Sequence, residues 1–107
     1  MTNEYVRPLP CVRDENGEIA EQSVKALFAK IDEELNELKQ EVFQFQSMDL
    51  PCVVLSNTSY IGKYIAREAA DTITAITTLL EALGIDEAAR DEAQRRVNAK
   101  NRERGRL

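Results

Sequence analysis

Two long stretches of the chain carry apolar residues at helical spacing. In the first, over about residues 20–46, they recur at steps of three and four: Val24, Leu27, Phe28, Ile31, Leu35, Leu38, Val42 and Phe45. In the second, over about residues 58–83, the same spacing joins Ile61, Ile65, Ala69, Thr72, Ile76, Leu79, Leu80 and Leu83. Because a helix brings such positions to one face, the pattern predicts two long helices that pack by these stripes.

The segment between the stripes, residues 47–57, breaks the helical pattern. Pro51 cannot continue a helix interior, and Ser56 and Asn57 offer side chains that cap a helix start. The apolar run 53–55 is compatible with a short strand, but a connection of this length is more typical of a chain reversal between antiparallel helices. We therefore expect an antiparallel helix hairpin.

The sequence predicts a third helix after the hairpin. Gly84 stands where a glycine commonly ends a helix, and Asp86 is a good cap for a helix over residues 87–102. The apolar face of this third helix is thin, with alanines and a single valine. The 107 residues are expected to form one all-α domain, a long antiparallel helix hairpin plus a third helix.

The first 17 residues lack a helical period. They contain Pro8, Pro10 and the turn signal Asn16-Gly17. This composition predicts an extended N-terminal arm over residues 1–17, which could cover a neighbouring subunit.

Composition and charge exclude several classes of function. The formal net charge of −5 does not favour a protein that coats nucleic acid. No apolar run approaches the roughly 20 residues of a membrane span, and no secretory segment follows Met1, so a cytoplasmic location is the default expectation. The two cysteines, Cys11 and Cys52, are not a CxxC pair and are expected to be reduced.

The chain contains no histidine. This excludes serine–histidine and cysteine–histidine nucleophiles, histidine-ligated zinc and the commonest general base. Any catalysis must therefore use carboxylates, lysine, tyrosine, a thiol or a bound metal ion.

Carboxylates gather on one flank of each long helix. With about 100° of rotation per residue, Glu34 and Glu37 lie roughly 70° and 130° from the centre of the first stripe. Glu68 and Asp71 lie roughly 60° and 120° from the centre of the second. Equal offsets on two antiparallel helices lead to the same edge of the hairpin, so the four side chains are expected to converge. Ligands that offer only oxygen suit Mg²⁺ or Mn²⁺.

A purely structural interpretation of the acidic flank also stays open. Glu34 could simply pair with Lys30, and Glu37 with Lys39 or with a lysine elsewhere. Of the remaining carboxylates on the first helix, Glu41 shares the acidic flank, whereas Glu33 lies almost opposite the stripe and is expected to face solvent.

The end of the chain is basic. Residues 95–107 contain one acid, Glu103, and six cations, Arg95, Arg96, Lys100, Arg102, Arg104 and Arg106. These cations are either a solvated helix end, where positive charge is favoured by the helix dipole, or a set of donors for phosphate.

The order of the acidic motifs resembles a known signature. Glu33-Glu34-x-x-Glu37 followed by Glu68-x-x-Asp71 is similar to the EExxE…ExxD pattern of the MazG-like all-α nucleoside triphosphate pyrophosphohydrolases. Residues 96–105 resemble the last helix of that family, and the likeness covers residues 24–105. The spacer of 30 residues between Glu37 and Glu68 is slightly long, and the helix that precedes EExxE in many members is shortened or merged.

The resemblance implies an activity and an assembly. Members bind Mg²⁺ at the acidic signature and cleave a nucleoside triphosphate to the monophosphate and pyrophosphate. They are dimers or tetramers with a four-helix-bundle interface. The implied partners of this chain are an NTP or dNTP substrate and further copies of itself, with neither nucleic acid nor membrane. A non-catalytic helical adaptor and an inactive homologue with the same fold are the alternatives.

The resemblance also implies roles for particular residues. The metal ligands would be Glu34, Glu37, Glu68 and Asp71. The attacking water would be oriented by Glu33, which the family motif favours, or by Glu41, which the helical rotation favours. The substrate phosphates would meet the basic tail through Asn98, Lys100, Asn101, Arg102 and Arg104.

Overall fold

Three helices account for most of the described part of the chain. The computed structural model describes residues 6–20, 22–55 and 59–107. Helix α1 is Val24–Phe43, α2 is Tyr60–Ala82 and α3 is Glu87–Glu103, and within the described ranges there is no strand. The predicted all-α class is therefore confirmed. None of these helices is long and apolar enough to cross a bilayer.

Each helix begins directly after a side chain that caps it. The caps are Ser23 for α1, Ser59 for α2 and Asp86 for α3. In each case the side-chain oxygen accepts a hydrogen bond from the N–H three residues on, at 3.1, 3.0 and 3.0 Å respectively. This N–H has no partner inside the first turn, so the cap fixes the helix boundary. The prediction for Asp86 is confirmed, whereas the candidate caps Ser56 and Asn57 lie outside the described residues.

Gly84 ends α2 as the sequence predicts. Its φ is +81°, a left-handed conformation that side chains with a Cβ adopt only with strain. The turn allows the N–H of Ile85 to donate to the carbonyl of Leu80 at 2.9 Å, which satisfies the end of the helix.

Helices α1 and α2 form an antiparallel hairpin. Ala26, near the start of α1, lines a pocket with Thr78, near the end of α2. Further along α1, Glu37 meets Glu68, which lies in the first half of α2. Residue numbers therefore rise on α1 as they fall on α2, so the two helices run in opposite directions.

The buried core of the hairpin is small and partly polar. The buried apolar residues among those described are Leu27, Ala75 and Leu79, each exposed by less than a tenth. Three threonines of α2 are buried with them: Thr72, Thr77 and Thr78. Each hydroxyl donates to the carbonyl four residues earlier, at 3.0, 2.9 and 2.8 Å, so the helix itself satisfies these polar groups.

Parts of the predicted apolar stripes are exposed. Phe28 is 50% exposed, Ile76 42% and Leu35 37%, so the expectation that these side chains are core is wrong for the single chain. The apolar face of each helix is wider than the strip that the other helix covers. Thr77 and Thr78, which the stripe analysis did not select, occupy part of the buried strip instead.

Ion pairs join α3 to the rest of the chain. Arg90 of α3 pairs with Glu81 at the end of α2 at 2.7 Å. Arg7 of the N-terminal arm pairs with Glu87 and with Asp91, the latter at 3.1 Å. These ion pairs link α3 to the end of α2 and to the N-terminal arm.

The described part of the N-terminal arm lies on its own hairpin. The backbone N–H of Cys11 donates to the hydroxyl of Thr78 on α2 at 2.9 Å. The arm then folds back on itself, with Arg13 and Ile19 forming an isolated antiparallel bridge around a turn where Gly17 has a φ of +78°. The turn that the sequence predicts at Asn16-Gly17 is present, and the arm's first five residues lie outside the described ranges.

Replacement of Leu79 tests the small core. We expect Leu79→Ala to lower the free energy of unfolding by about 2–5 kcal/mol, because it removes buried methyl groups and leaves a cavity. Val54→Ala is the matched control, since Val54 is 93% exposed and its truncation should cost less than about 0.5 kcal/mol. Denaturant unfolding measures both values, and equal effects of the two substitutions would contradict this core.

Candidate metal centre

Three carboxylates converge where α1 meets α2. Glu34, Glu37 and Glu68 each offer an oxygen, and these oxygens all lie within 4.8 Å of one another. Glu34 and Glu37 are one helical turn apart on α1, and Glu68 approaches them from α2. We call these three residues the acidic cluster. The structure thus brings together three of the four residues that the sequence places on one edge of the hairpin.

Two oxygens of the acidic cluster are buried without a donor. Glu34 is only 9% exposed. Its Oε2 and the Oε2 of Glu68 accept no hydrogen bond from any group in the described ranges. Leaving a buried polar atom unpaired costs about 1–3 kcal/mol, and more for a charged group, so such atoms call for a specific compensating partner.

Lys30 neutralises part of the acidic cluster. Its ammonium lies 2.9 Å from Oε1 of Glu34, and this hydrogen bond raises the pKa of Lys30. The ion pair that the sequence allowed as an alternative is therefore present. It satisfies one oxygen of Glu34 and leaves the other unpaired. Glu34 thus belongs to the acidic cluster and also forms the ion pair with Lys30.

The carboxylates of the cluster repel one another. The negative charge of Glu34 is the largest cause of a raised pKa of Glu37, and the charge of Glu68 adds to it. The repulsion by Glu34 and Glu68 therefore disfavours the ionised form of Glu37.

Asp71 lies beside the acidic cluster and is not one of its three members. It is exposed, one turn beyond Glu68 on α2. It lines a pocket of about 380 Å³ together with Glu34 and Lys30. Its role as a metal ligand remains a prediction.

The two candidates for orienting water differ in their surroundings. The side chain of Glu33 is 59% exposed and lies 3.6 Å from Lys30, so the expectation that it faces solvent is confirmed. Glu41 is half-buried near the start of α2. The pKa of the nearby Tyr60 is raised. The main cause is its hydrogen bond with Tyr64, and the negative charge of Glu41 adds to the rise. Neither glutamate belongs to the acidic cluster.

The predicted phosphate-binding residues of the tail do not line the pocket beside the acidic cluster. These residues are Asn98, Lys100, Asn101, Arg102 and Arg104. Lys100 and Arg102 occupy the last turn of α3, where their charge favours the helix dipole. Asn98 lines a groove between α3 and α2, on the side of Ile73 and Leu80. That side of α2 lies roughly 140° around the helix from the side that faces the pocket.

The sequence did not indicate that the N-terminal arm contributes to the site. Cys11, Arg13 and Asp14 line the 380 Å³ pocket opposite Glu34 and Asp71. An arm without a helical period carries no pattern that tells which surface it covers. Only the tertiary fold, through the hydrogen bond from Cys11 to Thr78, places it there.

We find no match to this chain among protein-family models, curated proteins or solved structures. The resemblance of its acidic motifs to the MazG-like signature therefore stays an expectation based on the residues themselves.

Neutralising Glu37 should stabilise the metal-free protein. Glu37→Gln removes the repulsion by Glu34, so we expect its melting temperature at neutral pH to exceed that of the wild type. Since the pKa of Glu37 is raised in the folded state, the wild type gains the same relief as the pH falls through that pKa. The difference between the two proteins should therefore shrink at mildly acidic pH.

The matched control for this experiment is Asp32→Asn, which removes a charge from an exposed position of α1. It should leave the melting temperature nearly unchanged at both pH values. A lower melting temperature for Glu37→Gln at neutral pH would contradict the repulsion within the cluster.

Proposed function

We propose that this chain is a Mg²⁺-dependent nucleoside triphosphate pyrophosphohydrolase, which cleaves an NTP or dNTP to the monophosphate and pyrophosphate. The observation that carries the proposal is the acidic cluster, three carboxylates whose oxygens lie within 4.8 Å of one another. The bond that is cut is taken from the resemblance of Glu33-Glu34-x-x-Glu37…Glu68-x-x-Asp71 to the MazG-like signature.

The donor set of the acidic cluster fits a hard divalent cation. It offers carboxylate oxygens alone, which suit Mg²⁺ or Mn²⁺ and do not suit a soft metal ion. The two unpaired oxygens, on Glu34 and Glu68, are buried atoms that a cation would satisfy. Glu34, Glu37 and Glu68 would hold the ion, with Asp71 as a further ligand from the pocket wall. A bound Mg²⁺ supplies charge neutralisation at the phosphates and lowers the pKa of a coordinated water.

The side chains around the cluster would position the substrate and the water. Glu33 or Glu41 would accept a proton from the water, since each stands within about one helical turn of the cluster. Lys30 already places a positive charge beside Glu34 and would turn toward a phosphate oxygen when a cation takes its place. Because the chain has no histidine, carboxylates and lysine would act as the acids and bases of the reaction.

The proposed enzyme is a homo-oligomer, a dimer or tetramer built as a four-helix bundle. Large apolar side chains along the two long helices support this assembly: Val24, Phe28, Ile61, Ile73 and Ile76 are each at least 42% exposed. A second copy would cover them. Within one chain the tail does not line the pocket of the acidic cluster, so contact between the tail and the phosphates would come from a neighbouring copy.

A helical adaptor without activity is the second candidate. The same exposed apolar surface and the small core favour it, because a partner protein would stabilise such a hairpin equally well. An adaptor gives no reason for two glutamate oxygens to be buried together without donors. Turnover separates these two functions and also excludes an inactive homologue.

Pyrophosphate release tests the proposed function. Purified protein with Mg²⁺ should release pyrophosphate from at least one NTP or dNTP in a panel. Glu34→Gln, Glu37→Gln, Glu68→Gln and Asp71→Asn should each lower kcat/KM by about 100-fold or more, because loss of a direct ligand exceeds the 10–100-fold typical of a supporting group. Asp32→Asn is the control and should keep full activity.

Two further variants decide which carboxylate orients the water. These variants are Glu33→Gln and Glu41→Gln. The variant that loses the water-orienting carboxylate should have a lower kcat with little change in KM. Absence of pyrophosphate from every nucleotide, with Mg²⁺ and Mn²⁺ tested separately, would exclude the enzyme.

Sedimentation equilibrium tests the assembly. At micromolar concentration we expect a mass of at least twice the 12.1 kDa of one chain. Phe28→Glu should lower this mass, because it places a charge on exposed apolar surface, whereas Val54→Glu in the connecting segment should not. A mass of a single chain for the wild type would contradict the oligomer.

A further inference from the structure

A pocket lies between the N-terminal arm and the helix hairpin, next to the acidic cluster. Its volume of about 380 Å³ falls within the range typical of sites for small organic ligands. Glu34 belongs both to the wall of this pocket and to the acidic cluster. A molecule in the pocket would therefore lie beside Glu34, the member of the acidic cluster that both share.

The lining of the pocket combines an apolar floor with a few polar groups. Leu27 and Ala75 are among the most buried apolar residues of the chain, and Thr74 and Thr78 add hydroxyl groups from α2. Such a combination is typical of sites that bind an organic molecule with a flat apolar face and polar edges.

The charges in the pocket wall do not favour a bare phosphate. The pocket wall contains the carboxylates of Asp14, Glu34 and Asp71, a set that shares only Glu34 with the acidic cluster, and two cations. One cation, Lys30, already pairs with Glu34. The other cation, Arg13, donates a hydrogen bond to the backbone carbonyl of Gly17 at 2.9 Å. Because a carbonyl is neutral, this hydrogen bond does not compensate the charge of Arg13.

The arm forms a fixed wall of the pocket. The hydrogen bond from Cys11 to Thr78 ties its middle to α2, and the ion pairs of Arg7 tie its start to α3. The bridge between Arg13 and Ile19 then returns the chain to the start of α1. Arg13 is thus held at the pocket by contacts of the arm on both sides of it.

We propose that the pocket under the arm binds the nucleoside part of the triphosphate, and that Arg13 is a substrate-binding residue. This inference rests on the proposed function, in which the phosphates reach the acidic cluster. The apolar floor suits the face of a base, and the hydroxyl of Thr74 and the carboxylate of Asp14 suit the polar edges of base and sugar. A guanidinium either stacks on a base or donates to its ring acceptors.

Thiol labelling reports occupancy of the pocket directly. Cys11 lines the pocket, Cys52 does not, and both thiols are exposed and free. The variant Cys52→Ser leaves Cys11 as the single thiol, and Cys11→Ser leaves Cys52. The labelling rate with a maleimide is measured with Mg²⁺ alone, with each nucleoside monophosphate plus Mg²⁺, and with pyrophosphate plus Mg²⁺.

A nucleoside in the pocket should shield Cys11 selectively. At saturating concentration we expect at least one nucleoside monophosphate to slow Cys11 labelling by about tenfold, and pyrophosphate to leave it within about twofold. Labelling of Cys52 should not change with either ligand. Unchanged Cys11 labelling with every monophosphate would overturn the inference, even if the protein releases pyrophosphate from a triphosphate. Shielding without any turnover would support the pocket and reject the proposed hydrolysis.

Replacement of Arg13 tests its part in binding. We expect Arg13→Ala to weaken the shielding of Cys11 by the monophosphate and to raise its Kd by about tenfold, the effect of losing one charged hydrogen bond. Lys63→Ala removes an exposed cation of α2 that does not line the pocket and should leave Kd unchanged. Equal Kd values for the wild type and both variants would show that Arg13 does not contact the nucleoside. Thr78→Val, which removes the anchor of Cys11, should speed labelling of Cys11 without ligand.

Discussion

The packing of the two long helices is constrained by the carboxylates that it buries. The hairpin has few buried apolar side chains, yet it also buries an oxygen of Glu34 and one of Glu68 without donors. Helix packing alone gives no reason to keep these groups, since an apolar pair would stabilise the interface better. A cation between these oxygens would satisfy both of them, and this is the ground on which we propose a metal site here.

The N-terminal arm completes this arrangement on one side of the hairpin. Cys11 is fixed to Thr78 of α2, and Thr78 in turn donates to its own helix at Thr74. One buried threonine therefore serves both the core and the pocket wall. The opposite side of α2, with Ile73 and Leu80, is left to α3 and to the proposed partner copy. One side of the hairpin thus carries the pocket under the arm, and the other side faces α3.

The helices and the acidic edge could be predicted from the sequence because both follow from local periodicity. Spacing along each helix predicted the convergence of Glu34, Glu37 and Glu68, and Asp86 and Gly84 marked boundaries through local hydrogen bonding. The exposure of Phe28 could not be predicted, because periodicity gives the direction of a face but not how much of it a neighbour covers. The position of the arm depends on long-range contacts, the hydrogen bond from Cys11 to Thr78 and the ion pairs of Arg7, and leaves no periodic signal.

The most direct test of the metal site is paramagnetic broadening of backbone amide signals by Mn²⁺, titrated into the isotopically labelled protein. If the cluster binds a cation, the broadening should saturate and should centre on Glu34, Glu37 and Glu68. Added Mg²⁺ should reverse it, and Glu34→Gln should abolish it. Broadening that does not saturate, or that centres on other carboxylates such as those of α3, would contradict the proposed metal site.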